Sequence, residues 1–172
     1  MAAPQGIVRV YQHDQTITFQ VEGRATMHQS PLVRRFAEQC LAAGATVLRM
    51  DLRHCTLMDS TFLGTLLFLK RMIDRQGQSE FALISPSPQC CRLLQQMRLD
   101  KVFPMVTVEE PAASAWTELK STPEDINVFK RNVVQAHQEL ARLEGPAGET
   151  FRELADQLAR ELESEKKADP ER

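Results

Sequence analysis

Seven glycines in 172 residues leave little material for nucleotide loops, and none falls in a run that could cradle a phosphate. There is also no Gly-x-Ser-x-Gly turn and no His-Glu-x-x-His pair, so the common hydrolase and zinc-protease signatures are missing. The four histidines are scattered. His137 falls on an apolar helical stripe, where packing is its expected role, and His54 falls in a loop. Neither an enzyme nor a cofactor is expected. The four cysteines, Cys40, Cys55, Cys90 and Cys91, form no Cys-x-x-Cys pair and have no histidine at zinc spacing, which argues against a metal. Cys90 and Cys91 are neighbours, between which a disulfide would be strained, so reduced thiols in a packing role are expected.

An excess of one charge is missing too. Lysine and arginine number 21 against 23 acidic residues, and a net charge of -2 offers no field for nucleic acid. No apolar run approaches the ~20 residues that a membrane span needs, and the opening MAAPQG has neither the basic start nor the apolar stretch of a secretory signal. A soluble cytoplasmic protein without membrane insertion is expected.

What the chain has is alternation of two periodicities. "IVRVYQ" and "TITFQVEG" read as strands of an antiparallel hairpin, with Ile17, Phe19 and Val21 on one side. "RATMHQSPLVRRFAEQCLAAG" reads as a helix, with Pro31 in its first turn after Ser30, Leu32, Val33, Phe36, Cys40 and Leu41 on one face, and Gly44 as its stop. "TVLRMDL" is a buried strand leading into a loop that holds Cys55. Phe62, Leu63, Leu66, Leu67, Leu69, Met72 and Ile73 then form a broad apolar helix surface ended by Gly77. "EFALIS" is a third buried strand, "SPSP" starts another helix, Leu99 and Phe103 close it against the core, and "MVTVE" is a short strand. Alternating β and α elements of this kind give an α/β fold with a mixed, mostly parallel sheet of about five strands flanked by helices.

After Pro111 the pattern changes. "PAASAWTELK" reads as one more helix, and Trp116 as an anchor for the following helix and not a ligand platform. A longer helix follows "STPED", with Ile126, Phe129, Val133, Val134, His137, Leu140 and Leu143 at helical spacing. "GPAG" breaks it, and a last helix carries Phe151, Leu154, Leu158 and Leu162 before the charged "ESEKKADPER", which should fray. The chain divides into a core over 1–121 and a C-terminal helical hairpin with a disordered tail over 122–172. The hairpin's stripe must be buried on the core or in a partner.

The run "MDSTFLG" places two hydroxyls between an acid and the apolar helix. Ser60 fits an N-cap, worth about 1 kcal/mol, with Asp59 and Thr61 incidental. Alternatively Thr61, in the first helical position, projects its hydroxyl to solvent, where a phosphate would meet the positive end of the helix dipole and unpaired N–H groups. Such a phosphate adds about -1.5 to -2 charges beside Asp59 and turns the surface anionic, which repels a partner packed there.

Taken in order, "VLRMDLRHCTLMDSTFLGTLLFLKR", "FALISPSPQCCRLL" and "MRLDKVF" resemble the STAS domain family, the sulfate transporter and anti-sigma factor antagonist module, and within it the free-standing bacterial antagonists. The likeness covers about residues 7 to 120. It implies a STAS-like fold and a partner-switching protein that binds an anti-sigma factor with serine/threonine-kinase activity until that kinase phosphorylates it, after which a phosphatase restores binding. The family phosphoacceptor falls on Thr61, with Ser60 as the alternative and Asp59 as the supporting acid. Phe62 stands where the family usually has glycine, and fills either a partner pocket or the core. Arg24, Ala25 and Thr26 stand where many antagonists carry an aspartate. Thr26 adds a hydroxyl that caps the next helix or is itself modified, and Arg24, Thr26 and Phe62 make the expected partner surface. Self-association through the C-terminal helices is a further expectation. The rival reading is a constitutive STAS scaffold or regulatory subunit, such as that of a lipid-transport complex, with no phosphate.

Overall fold

The computed structural model describes residues 5–123 and 125–168. The chain opens with β1 (Ile7–His13) and β2 (Thr16–Ala25), paired antiparallel with Val10 opposite Phe19. The turn between them needs a left-handed residue at Asp14 (φ 52°), a conformation that a short polar side chain tolerates. Helix α1 (Ser30–Ala42) has Pro31 in its first turn, where the lost N–H is not missed. It leads to β3 (Val47–Asp51), β4 (Cys55–Met58) and α2 (Ser60–Asp74). Next come β5 (Glu80–Ile84), α3 (Pro88–Gln96) and β6 (Met105–Val106). Finally, β7 (Thr117–Glu118) precedes α4 (Ile126–Ala141) and α5 (Pro146–Ala168).

The strands run in the order β6-β5-β3-β2-β1-β7, with β4 continuing along the far end of β2. The β2–β3, β2–β4, β3–β5 and β5–β6 pairs are parallel, whereas β1 is antiparallel to both of its neighbours. The expected mixed, mostly parallel sheet with flanking helices and a C-terminal hairpin is therefore present, with seven strands instead of about five.

The two additional strands correct the sequence reading. Cys55 lies in a strand, not a loop: beyond Gln20, where β3 ends its pairing, β2 continues to Ala25 and takes β4 as a second parallel partner. Only Cys55 and Met58 of its four residues are buried, too short a pattern to show in the sequence. The helix expected over "PAASAWTELK" is a short 3-10 turn (Ala113–Ala115) followed by β7. Ten residues rarely sustain a helix unaided, and the open edge of β1 supplies partners: Thr117 pairs with Val10, Glu118 with Arg9, and Leu119 N–H donates to Val8. Trp116 rests on Tyr11, with ring centroids 5.8 Å apart, instead of anchoring a helix.

The core lies between the sheet and the helices packed on it. Phe19, Leu48, Met50, Phe62, Leu66, Leu69, Ile73 and Leu83 are fully enclosed. The last helix runs through the charged segment as far as Ala168, where fraying was expected from Glu163; residues 169–172 lie outside the described residues.

Candidate functional site

Strand β4 delivers the chain from the sheet to the start of α2, and Asp59 fixes that start. One of its carboxylate oxygens accepts the Phe62 N–H at 2.8 Å, and the other accepts the Met27 N–H, also at 2.8 Å. Its own N–H donates to Ala25. Asp59 is therefore the N-cap of α2 and also clamps the loop between β2 and α1. This corrects the assignment of the cap to Ser60. Aspartate and serine cap about equally well, so residue type alone did not separate the two, and the Met27 contact was invisible in the sequence.

With Asp59 as cap, Ser60 and Thr61 occupy the first two helical positions. Their environments differ. Thr61 is only 4% exposed and its hydroxyl does not project freely to solvent, contrary to expectation. Ser60 is half-buried, and its Oγ lies 3.2 Å from Nε2 of His137 on α4. The opposite ring nitrogen, Nδ1, is 2.8 Å from the Val133 carbonyl. A carbonyl only accepts, so Nδ1 carries a proton; in the neutral ring Nε2 is then an acceptor and the Ser60 hydroxyl donates to it. His137 is buried, as its apolar stripe implied, but its partner is the very hydroxyl under question. The sequence offered one sign of this: the apolar surface of α2 is broader than a single layer of sheet can cover.

Helix α4 follows α2 beyond this pair. A Cβ placed on Gly64 would lie 2.1 Å from the Ala136 carbonyl oxygen, so the two helices meet backbone to backbone at that point. Farther along, Arg71 reaches Glu139 at 2.8 Å, and Arg142 reaches the same carboxylate at 3.1 Å. Arg34 of α1 stacks on Phe68 at 3.8 Å and bonds Gln135, tying α1, α2 and α4 together. His28, just before α1, stacks on Phe129.

The remaining candidates scatter around this centre. Arg24 is exposed, opposite Leu57 in the β2–β4 pair, and makes no ion pair among the described residues. Leu57 (42% exposed) and Met27 (39%) flank it, giving a basic and apolar patch beside Asp59. Thr26 donates to Gln29 and its hydroxyl accepts the His28 N–H, a local turn ahead of α1; the N-cap position of α1 is held by Gln29. Phe62, expected on the partner surface, is fully enclosed in the core, because the third position of α2 points at the sheet.

Below the site, Cys55 and Cys90 are free and buried. Each thiol is directed at a carbonyl, Cys55 at that of Leu57 and Cys90 at that of Cys55, and the neighbouring thiol, with burial added, pushes Cys55 up. Among the described residues no group of histidine, cysteine and acidic side chains could hold a metal, and no helix is long and apolar enough to cross a membrane.

The family model for the STAS domain matches residues 8–112, more than half of the chain. The chain belongs to the STAS domain family. Its STAS core shares a fold with solved antagonists. The unphosphorylated form of the anti-sigma factor antagonist SpoIIAA superposes with a TM-score of 0.54 at 20% identity, covering 60% of this chain and 89% of that one. An anti-sigma factor antagonist from Mycobacterium paratuberculosis gives 0.53 at 22% identity, covering 66% and 93%. The phosphorylated form of SpoIIAA, a Bacillus cell fate determinant, gives 0.51 at 20% identity, covering 60% and 92%. No curated protein matches the sequence. Helices α4 and α5 lie wholly outside the STAS match.

Proposed function

We propose that this chain is a cytoplasmic anti-sigma factor antagonist that switches partners through phosphorylation at the start of α2. The observation that carries the reading is the Asp59-Ser60-Thr61 run at that helix start, set beside the exposed Arg24, Met27 and Leu57 within a STAS core. In the unmodified state the patch receives an anti-sigma factor with serine/threonine-kinase activity. The kinase transfers the γ-phosphoryl group of ATP to the hydroxyl oxygen: the new P–O bond forms, ADP leaves, and the hydroxyl proton passes to the kinase's base. Thr61 holds the family's acceptor position and Ser60 is the alternative. Negative charge added beside Asp59 then repels the partner, until a phosphatase removes it. The protein itself is substrate and ligand, not enzyme.

A second reading has a specific observation behind it. Thr61 is buried and Ser60 is engaged by His137, as suits a constitutive scaffold subunit whose hydroxyls are never modified. Capture from lysate of the source cells with wild type, Thr61→Ala and Thr61→Glu as bait, with phosphopeptide mapping of the bait, decides between them. The switch predicts that wild type and Thr61→Ala retain a kinase that Thr61→Glu loses, with phosphate on wild-type Thr61 or Ser60. Equal capture by all three without phosphate supports the scaffold.

A further inference from the structure

Helix α2 carries two stripes at the same spacing. Phe62, Leu66, Leu69 and Ile73 face the sheet and are fully buried. Ser60, Gly64, Leu67 and Arg71 face away from it, and at three of these four positions α4 supplies the contact: His137 to Ser60, Ala136 to Gly64 and Glu139 to Arg71. We infer that the outer stripe of α2 is a helix-docking surface which the chain's own α4 occupies in cis, and that α4 leaves when Ser60 carries a larger or anionic group.

The chemistry of the surface specifies its occupant. A helix that fits must present a residue no larger than alanine, backbone first, to Gly64, a hydrogen-bond acceptor to Ser60 and a carboxylate to Arg71. Helix α4 has all three within four residues, Ala136 to Glu139. Any external helix that takes this surface needs the same set.

The docking is also of a kind that can be undone. Of the five residues of α4 that are buried, two are the polar His137 and Glu139 and one is alanine; only Val134 and Leu140 are larger apolar side chains, and Leu140 alone joins the core cluster. Buried polar pairs add only about 1 kcal/mol each, whereas the inner stripe is wholly apolar and large. A segment held in this way opens at lower free energy than the core under it. The 3.2 Å between Ser60 Oγ and the imidazole leaves no space for a carboxymethyl or phosphoryl group. The bulk of the added group therefore favours departure of α4, and an anion there also lies beside the carboxylate of Asp59.

This inference rests on the start of α2 being the regulated site, but it is tested without any partner. Hydrogen exchange by mass spectrometry on the full chain compares wild type, Ser60→Glu and Gly64→Ala. In both variants exchange across 126–141 should rise by about tenfold or more, the equivalent of 1.4 kcal/mol, while β2, β3 and β5 keep their protection. Gly64→Ala acts through the Ala136 contact with no added charge, which separates the docking from any effect of the glutamate on the helix start. Unchanged protection of 126–141 in both variants overturns the proposal. So does loss of protection in the sheet in step with α4, which would make the hairpin part of one cooperative fold. Release of α4 with no kinase captured defeats the antagonist reading alone; kinase capture without release defeats the docking proposal alone.

Discussion

The two stripes of α2 have the same length and the same residue spacing, yet they do different things. The inner stripe uses large aliphatic and aromatic side chains and touches only the core; the outer one uses a hydroxyl, a glycine, a leucine and an arginine, and touches a helix from outside the STAS match. Large apolar contacts are stable, tolerant of exchange for similar volumes and poor at responding to a small chemical change. Small and polar contacts depend on close geometry, so one added group at Ser60 or one methyl at Gly64 acts on the whole interface. One helix can thereby belong to the permanent fold and to a reversible contact at once.

The contrast can be broken from the inner side first. Leu66→Ala should destabilise the whole protein by about 2–5 kcal/mol, through lost transfer energy and the cavity left behind; chemical denaturation should show it, with core and hairpin lost together. On the outer side, Arg71→Ala leaves Glu139 buried with Arg142 as its one remaining cationic partner among the described residues. The expected loss is about 1–3 kcal/mol, read as faster exchange in α4 and little change in the midpoint of core unfolding. A smaller effect away from α2 sharpens the comparison. The Glu110 carboxyl is held below its ordinary range, first by the hydrogen bond from Gln20 and then by Arg53 and His54. A depressed carboxylate contributes stability above its unfolded value and loses it as pH falls through its folded one. The stability advantage of wild type over a Glu110→Gln variant, read by chemical denaturation, should therefore shrink as pH falls below the ordinary glutamate value of about 4.3.

Much of this arrangement could be read in the amino-acid order, and the exceptions share a cause. The β-hairpin, α1, β3, α2, β5 and α3 announce themselves because each buries a face long enough to show its period. Strand β4 does not, since two of its four residues face solvent, and β7 exists only because β1 has an open edge several elements earlier. The run at the start of α2 was legible as a helix start with spare hydroxyls, but which residue caps it depended on Met27, and which hydroxyl is engaged depended on His137, 77 positions away. The identity of the motif is local; the state of the motif is tertiary. Phe62 shows the same limit: a large apolar residue at a partner site is indistinguishable in sequence from one at a core position.

The seven residues from 119 to 125 that join β7 to α4 have a consequence of their own. A link this short holds the helix near its surface at an effective concentration on the order of millimolar. An external helix of equal intrinsic affinity, present at micromolar levels, is thereby outcompeted by a factor of about a thousand. Raising the amount of a rival does little under those conditions, whereas weakening the tethered contact by a few kcal/mol hands the surface over. The short tether thus makes the surface insensitive to how much partner the cell contains and sensitive to what is attached at Ser60.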